Sequence, residues 1–212
     1  MATNAWFRFR YTLQAPLYDR ITKFHAERRR SIATLRLEPG ERVLVIGAGT
    51  GADLPFLPDD VRVLAIDLTP AMLEQARERA GPAVELRVMD AHRLELPGDS
   101  VDAAILHMVL EVFRNPARCL AEAARVLRPG GRIAVFDKFL PEGERPGLLH
   151  RAALALLDVV FTSTNRRLGD ILAAAGAPLV VERDEPARGP YRHVLLRKPA
   201  SAQGYLARPG ME

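Results

Sequence analysis

ERVLVIGAGTGADLPFLP, residues 41–58, is the stretch on which the fold turns. It opens with an apolar, β-branched run, Val43–Ile46, which reads as a strand buried on both faces. The run breaks on three glycines in five residues, Gly47, Gly49 and Gly51. Glycine permits positive φ and carries no Cβ, so the break leaves bare backbone against which something can lie closely. A helical pattern over 52–57 follows. A strand that turns through glycines into a helix, at the carboxyl end of a parallel sheet, is a candidate nucleotide cradle. A tight turn without a ligand is the structural alternative.

Working outward, β-branched runs alternate with helical patterns. Strands are expected at Arg42–Ile46, Val61–Ile66, Val84–Val88, Val101–Leu106 and Arg132–Phe136, and helices at 52–57, 70–80 and 116–127. This rhythm argues for a parallel sheet covered on both faces. Thr69-Pro70 and Asn115-Pro116 each supply an N-cap followed by a first-turn proline. RPGG, 128–131, reads as a stop before the fifth strand. The rhythm then changes to a loop and an apolar helix at 148–161, a helix at 166–175 stopped by Gly176, and antiparallel strands near 178–183 and 191–197.

The chain's 212 residues suit one domain with an appendage. The single cysteine, Cys119, excludes a disulfide framework or a cysteine metal cluster. No metal site is expected. No run reaches the roughly 20 apolar residues that cross a bilayer, and the N-terminus shows no signal-peptide pattern. The expected location is cytoplasmic. Charge is uneven: residues 1–36 hold eight basic residues and two acids, a surplus of six, whereas the whole chain carries only +4. That asymmetry suits an anionic partner; it equally suits a solvated helix face.

Asp67 closes the second strand, where a carboxylate can accept both ribose hydroxyls. Gly47-x-Gly49-x-x-Ala52 with an acid about 20 residues on also fits a dinucleotide loop. These features alone do not separate NAD from another adenosine-bearing cofactor.

Four segments in order separate them: VLVIGAGTG, VLAIDLTPAML, VMDAHRLELP and VLRPGGRIAVFD. Over about residues 16–198 the chain resembles the class I S-adenosylmethionine (SAM)-dependent methyltransferases. The likeness is to the group with the ubiquinone/menaquinone methyltransferases and the bacterial phosphatidylethanolamine N-methyltransferases. The resemblance implies a Rossmann-like α/β fold: a seven-stranded, mostly parallel sheet with one antiparallel strand, helices on both faces and an N-terminal helical lid. It implies SAM as cofactor, with S-adenosylhomocysteine as product. Gly47, Ala48 and Gly49 would line the methionine part, Asp67 would bind the ribose, and Leu68 and Met72 would flank the adenine. Asp90 and Ala91 would meet the adenine edge, and His107 would face cofactor and acceptor. His107 and Tyr18 are the catalytic candidates; a packing role stands beside each. One departure matters: the family's acid two residues before the first glycine, which helps hold the cofactor's amino end, is Val45 here. Asp53 lies near in sequence.

Trp6, Phe9, Leu13, Leu17, Ile21 and Phe24 recur at helical spacing among arginines, and Pro16 divides them into helices near 4–14 and 17–34. A basic amphipathic segment bearing aromatics suits an anionic membrane surface; it equally suits a lid on its own domain. The expected organisation is a basic lid at 1–36, a SAM-binding domain at 37–198 and a disordered tail at 199–212. The expected acceptor is small or lipidic, with phosphatidylethanolamine leading, quinone precursors and other small molecules open, and nucleic acid not expected. The alternatives of another class are an NAD-dependent oxidoreductase, although no Tyr and Lys stand four apart, and a non-catalytic SAM-binding module. The oligomeric state is left open.

Overall fold

A computed structural model describes residues 24–140 and 166–200 of the chain. Tyr18, the N-terminal amphipathic pattern before Phe24, the apolar helix at 148–161 and the tail beyond 200 lie outside the described residues.

The described chain runs α1 (His25–Ala33), β1 (Arg42–Ile46), β2 (Arg62–Asp67), α2 (Pro70–Ala76), β3 (Val84–Val88), β4 (Val101–His107), α3 (Pro116–Val126), β5 (Leu127–Lys138), α4 (Leu168–Ala175), β6 (Val180–Pro186) and β7 (Tyr191–Arg197). The seven strands form one sheet in the order β3-β2-β1-β4-β5-β7-β6. β1 to β5 pair in parallel. β7 runs antiparallel to both β5 and β6, so it is the one reversed strand. The order reverses at β1, between β2 and β4, which is where an open parallel sheet leaves a crevice.

The strand residues are apolar on both sides because both sides are covered. Val43 and Val45 of β1 pack with Ile32, Leu35 and Leu73 on the face carrying α1 and α2. Leu44 and Ile46 pack with Leu120, Leu168 and Ile171 on the face carrying α3 and α4. Asn115 caps α3 as its sequence suggests, its side chain accepting the Arg118 N–H at 2.9 Å. Gly176, at φ 57°, supplies the left-handed stop of α4.

Three expectations are corrected. The helix at 52–57 is only a 3-10 turn, Leu54–Phe56, because Pro55 and Pro58 remove N–H donors that an α-helix would need. The helix at 70–80 is α up to Ala76 and then tightens into a 3-10 turn, Arg77–Arg79. RPGG is no stop. β5 begins at Leu127, and the pairing with β4 jumps from Val101↔Leu127 to Ala103↔Arg132. The extra residues bulge at Gly130 (φ 80°), and the segment stays hydrogen-bonded through Lys198 at 2.8 and 3.0 Å.

Residues 24–36 are fastened to the sheet. Arg132 on β5 donates to Leu35 O at 2.8 Å and forms a two-pronged pair with Glu41 at 2.7 and 2.8 Å. Phe24 packs against Tyr191 and Phe136, with centroids at 4.7 and 5.5 Å. Glu27 pairs with His193 at 2.6 Å. Among the described residues no helix is long and apolar enough to cross a membrane.

Candidate functional site

A cavity opens beyond the carboxyl ends of β1, β2 and β4. Every cofactor residue singled out from the sequence lines it: Gly47, Ala48, Gly49, Asp67, Leu68, Met72, Asp90, Ala91 and His107.

The glycines differ in what requires them. Gly47 (φ 68°) could carry no side chain, because a Cβ would fall 2.5 Å from Val109 Cγ1. Its bareness serves the packing of the β4–α3 segment. Gly49 (φ 54°) has nothing within 4 Å of its missing Cβ, so open space stands before that backbone.

Asp67 is held by the loop it faces. Its Oδ2 accepts the Gly49 N–H at 2.9 Å and its Oδ1 accepts the Thr69 N–H at 2.8 Å. Burial pushes the Asp67 pKa up, and the backbone N–H groups only partly offset it. Such a carboxylate gains from a ligand that donates hydrogen bonds to it. Asp90 is built similarly: its Oδ1 accepts the His92 N–H at 2.9 Å and lies 2.8 Å from His92 Nδ1. Burial opposes its ionisation, but the bonds from His92 outweigh burial and hold its pKa below the usual value.

At the other end the structure assembles residues that the sequence left scattered. Arg28 of α1 is 5% exposed and lines the cavity. Its Nη1 donates to Asp53 Oδ2 at 2.7 Å, and its Nη2 meets Met108 Sδ at 3.4 Å. Asp53 Oδ1 lies 2.7 Å from His107 Nδ1, and Ser31 Oγ lies 2.9 Å from His107 Nε2. A carboxylate only accepts, so Nδ1 carries the proton and Nε2 accepts from Ser31. Burial lowers the His107 pKa more than Asp53 raises it, which agrees with a neutral ring. For Asp53 burial is likewise the largest influence and an unfavourable one, yet His107 and Arg28 together hold it far below the usual carboxylate range.

His107 therefore backs the cavity wall. Its ring is fully buried and both its nitrogens are engaged. Sequence reasoning missed Arg28 and Ser31 as site residues and named Asp53 only as a neighbour in sequence. Their one visible signal was the absence of an acid at Val45, which is buried among apolar neighbours. Another buried carboxyl, Asp137, lies near the end of β5 and accepts from Leu110 N at 2.7 Å; burial and the nearby Glu111 push its pKa up to about 7.

Comparison with known proteins agrees with this geometry. Residues 44–135 match a family described as a methyltransferase domain. A phosphatidylethanolamine N-methyltransferase of Cereibacter sphaeroides is 38% identical over 117 residues, covering 53% of this chain and 57% of that protein. A demethylmenaquinone methyltransferase of Beutenbergia cavernae is 36% identical over 115 residues, covering 54% and 48%. The chain thus spans about half the length of these curated relatives. The solved structure of a SAM-dependent methyltransferase from Aquifex aeolicus superposes with a TM-score of 0.60 at 22% identity, covering 81% of this chain and 89% of that one. Its likeness is one of fold, and the fold is that of the class I methyltransferases. The matched family and these neighbours imply SAM as the cofactor.

Proposed function

We propose that this chain, whose residues 44–135 are a methyltransferase domain, transfers a methyl group from SAM to a small or lipidic acceptor. The convergence of Gly49, Asp67 and Asp90 on one cavity at the sheet's reversal point carries this reading. The residues fit an adenosyl ligand. Asp67 offers two held oxygens for ribose hydroxyls, Met72 and Met89 give apolar walls, and the open space before Gly49 admits a polar tail.

SAM supplies an activated methyl on a sulfonium sulphur. The chain's part is to bind, to align the acceptor for in-line displacement and to keep water out. An amine acceptor must also lose a proton. Neither His107 nitrogen is free to take it, so the candidate base that remains from the sequence is Tyr18, which lies outside the described residues.

As acceptor we favour phosphatidylethanolamine, supported by the 38% identity to the Cereibacter enzyme. The basic segment 1–36 would then rest on an anionic surface, and Arg29 and Arg30 of α1 are exposed for it. A quinone precursor is the second reading, supported by the Beutenbergia relative. Calorimetry with S-adenosylhomocysteine tests the cofactor; no heat with either wild type or Asp67→Ala would sink the reading. Labelled SAM incubated with vesicles containing phosphatidylethanolamine, and separately with a demethylated quinone, tests the acceptor. Label in the phospholipid fraction is expected.

A further inference from the structure

Asp137 is a fully buried carboxyl to which the site's chemistry gives no task. It lies near the end of β5, beside the turn that follows β4. Met108 leaves β4 at φ 58°, a left-handed conformation that a residue with a side chain adopts at some cost. The chain then coils once, and Val109 O accepts the N–H groups of Val112 at 3.1 Å and of Phe113 at 2.9 Å. The first N–H groups of such a coil have no carbonyl within it to bond. Here those of Leu110 and Glu111 go to Asp137 Oδ2, at 2.7 and 3.3 Å. Asp137 thus acts as an N-cap side chain does, but from a neighbouring strand. Its Oδ1 accepts the Lys138 N–H at 2.8 Å, which fixes the carboxylate in turn. Arg166 holds the same coil by its carbonyls, donating to Leu110 O at 2.5 Å and to Phe113 O at 2.6 Å.

This turn is where two ligand-facing segments of the cavity meet. Met108, Val109, Val112 and Phe113 line the cavity. Val109 and Phe113 close on Gly47: a Cβ there would stand 2.5 Å from Val109 Cγ1 and 3.5 Å from Phe113 Cζ. The Phe113 ring also lies 5.4 Å, centroid to centroid, from that of His92, whose N–H and Nδ1 hold Asp90. Resting on the SAM reading, we infer that Asp137 is a positioning residue for the cofactor. By capping the turn from β5 it sets Val109 and Phe113 against Gly47 and His92, and so sets the spacing between the glycine loop and Asp90. Asp137 acts through the turn. An apolar side chain in its place would leave two buried N–H groups seeking other acceptors, and the turn would shift to find them.

The test is calorimetry with S-adenosylhomocysteine on the intact protein, run beside denaturant unfolding. Asp137→Leu removes both acceptor oxygens, whereas Asp137→Asn keeps one for the Leu110 and Glu111 N–H groups. Asp137→Leu should weaken binding about tenfold, because affinity falls with the fraction of molecules whose turn is in place. Asp137→Asn should stay within about threefold of wild type, since a neutral acceptor keeps roughly half the strength of a charged one, although both variants lose stability. Leu196→Ala, a buried change in β7 away from the cavity lining, should lose stability and keep wild-type affinity. Wild-type affinity in Asp137→Leu, an equal loss in Asp137→Asn, or a like loss in Leu196→Ala would overturn the inference and leave the SAM reading intact. Failure of the wild type to bind would overturn both. Should Asp137→Leu fail to fold, hydrogen exchange on the wild type decides. Saturating S-adenosylhomocysteine should slow exchange at the Leu110 and Glu111 amides as well as at Gly49, and protection at Gly49 alone would overturn the inference.

Discussion

The two ends of the cavity are made by different means. At the β2–β3 end each polar group is held by its own neighbourhood: Asp67 by Thr69 and by Gly49, 18 residues away, and Asp90 by His92. At the α1 end the partners are 25, 54 and 76 residues apart: Arg28 with Asp53, Asp53 with His107, His107 with Ser31. The first is a set of turns that follow strands. The second is a buried charge cluster that exists only once the chain has folded. The carboxylates report the difference, for Asp67 is pushed up by burial while Asp53 is held down by its partners. A ligand adds donors to the first end; the second pairs its charges within the chain.

The largest expected effect follows from that contrast. Arg28→Ala or Asp53→Ala strands a buried charge and should cost about 3–5 kcal/mol of stability, read as a lowered denaturant midpoint. The pH dependence sharpens it. The folded pKa of Asp53 lies below its ordinary 3.8, so its contribution is fully present above that value and is lost only as pH falls through the depressed one. Asp53→Asn should therefore flatten the acid limb of the stability profile. A loss below 1 kcal/mol in both alanine variants would show that the α1 end is not a unit.

Asp67 should behave in the opposite way. Asp67→Asn removes an anion that the folded state holds reluctantly. Its folded pKa is raised, so the folded state keeps its proton longer than the unfolded chain, and stability declines as pH rises from about 3.8 through the folded value. At neutral pH the variant should be as stable as wild type or more so, yet bind S-adenosylhomocysteine about 10- to 100-fold more weakly, through loss of charge-assisted bonds. Thermal melts and calorimetry read the two effects separately. A drop in stability together with unchanged affinity would reverse the roles assigned to the two ends.

His107, in the α1-end cluster, distinguishes chemistry from bracing. A general base contributes about 10²–10⁴ in rate, whereas a neutral strut whose removal leaves Asp53 and Ser31 each short of a partner contributes about 1–3 kcal/mol of stability. His107→Phe should lower the melting midpoint and change the rate per folded molecule by less than tenfold. A hundredfold fall in kcat at unchanged stability would restore His107 as the base.

The same division explains what the sequence could tell. β1, β3 and β7 are legible to the residue, because an apolar run bounded by turn residues is a local signal. So are Asn115 and Gly176, whose capping roles depend on their immediate neighbours. That Asp67 and Asp90 border the cavity is legible because one ends a strand and the other comes two residues after one. The RPGG segment misleads: as a four-residue string it is a turn, but pairing with β4 and with Lys198 absorbs it as a bulge inside β5. The 52–57 pattern misleads because apolar spacing outweighed two prolines. Arg28 could not be read at all. It stands in RRR, residues 28–30, which looks like a solvated basic run; only the fold shows that one arginine of the three turns inward.

That run supplies the smallest and most local test. Arg28 and Arg30 sit two positions apart on one helix, about 200° around its axis, so they face nearly opposite ways. Arg30 also forms an ion pair, with Glu185 at 3.1 Å, but its side chain is 60% exposed and its partner's 39%. Water screens that pair and side-chain entropy opposes it, so Arg30→Ala should cost no more than about 0.5 kcal/mol and should lose even that in high salt. The charge removed is the same as in Arg28→Ala, and so is the helix. The six- to tenfold difference expected between the two variants isolates burial as the cause, and similar losses from both would mean that α1 does not turn Arg28 into the cavity.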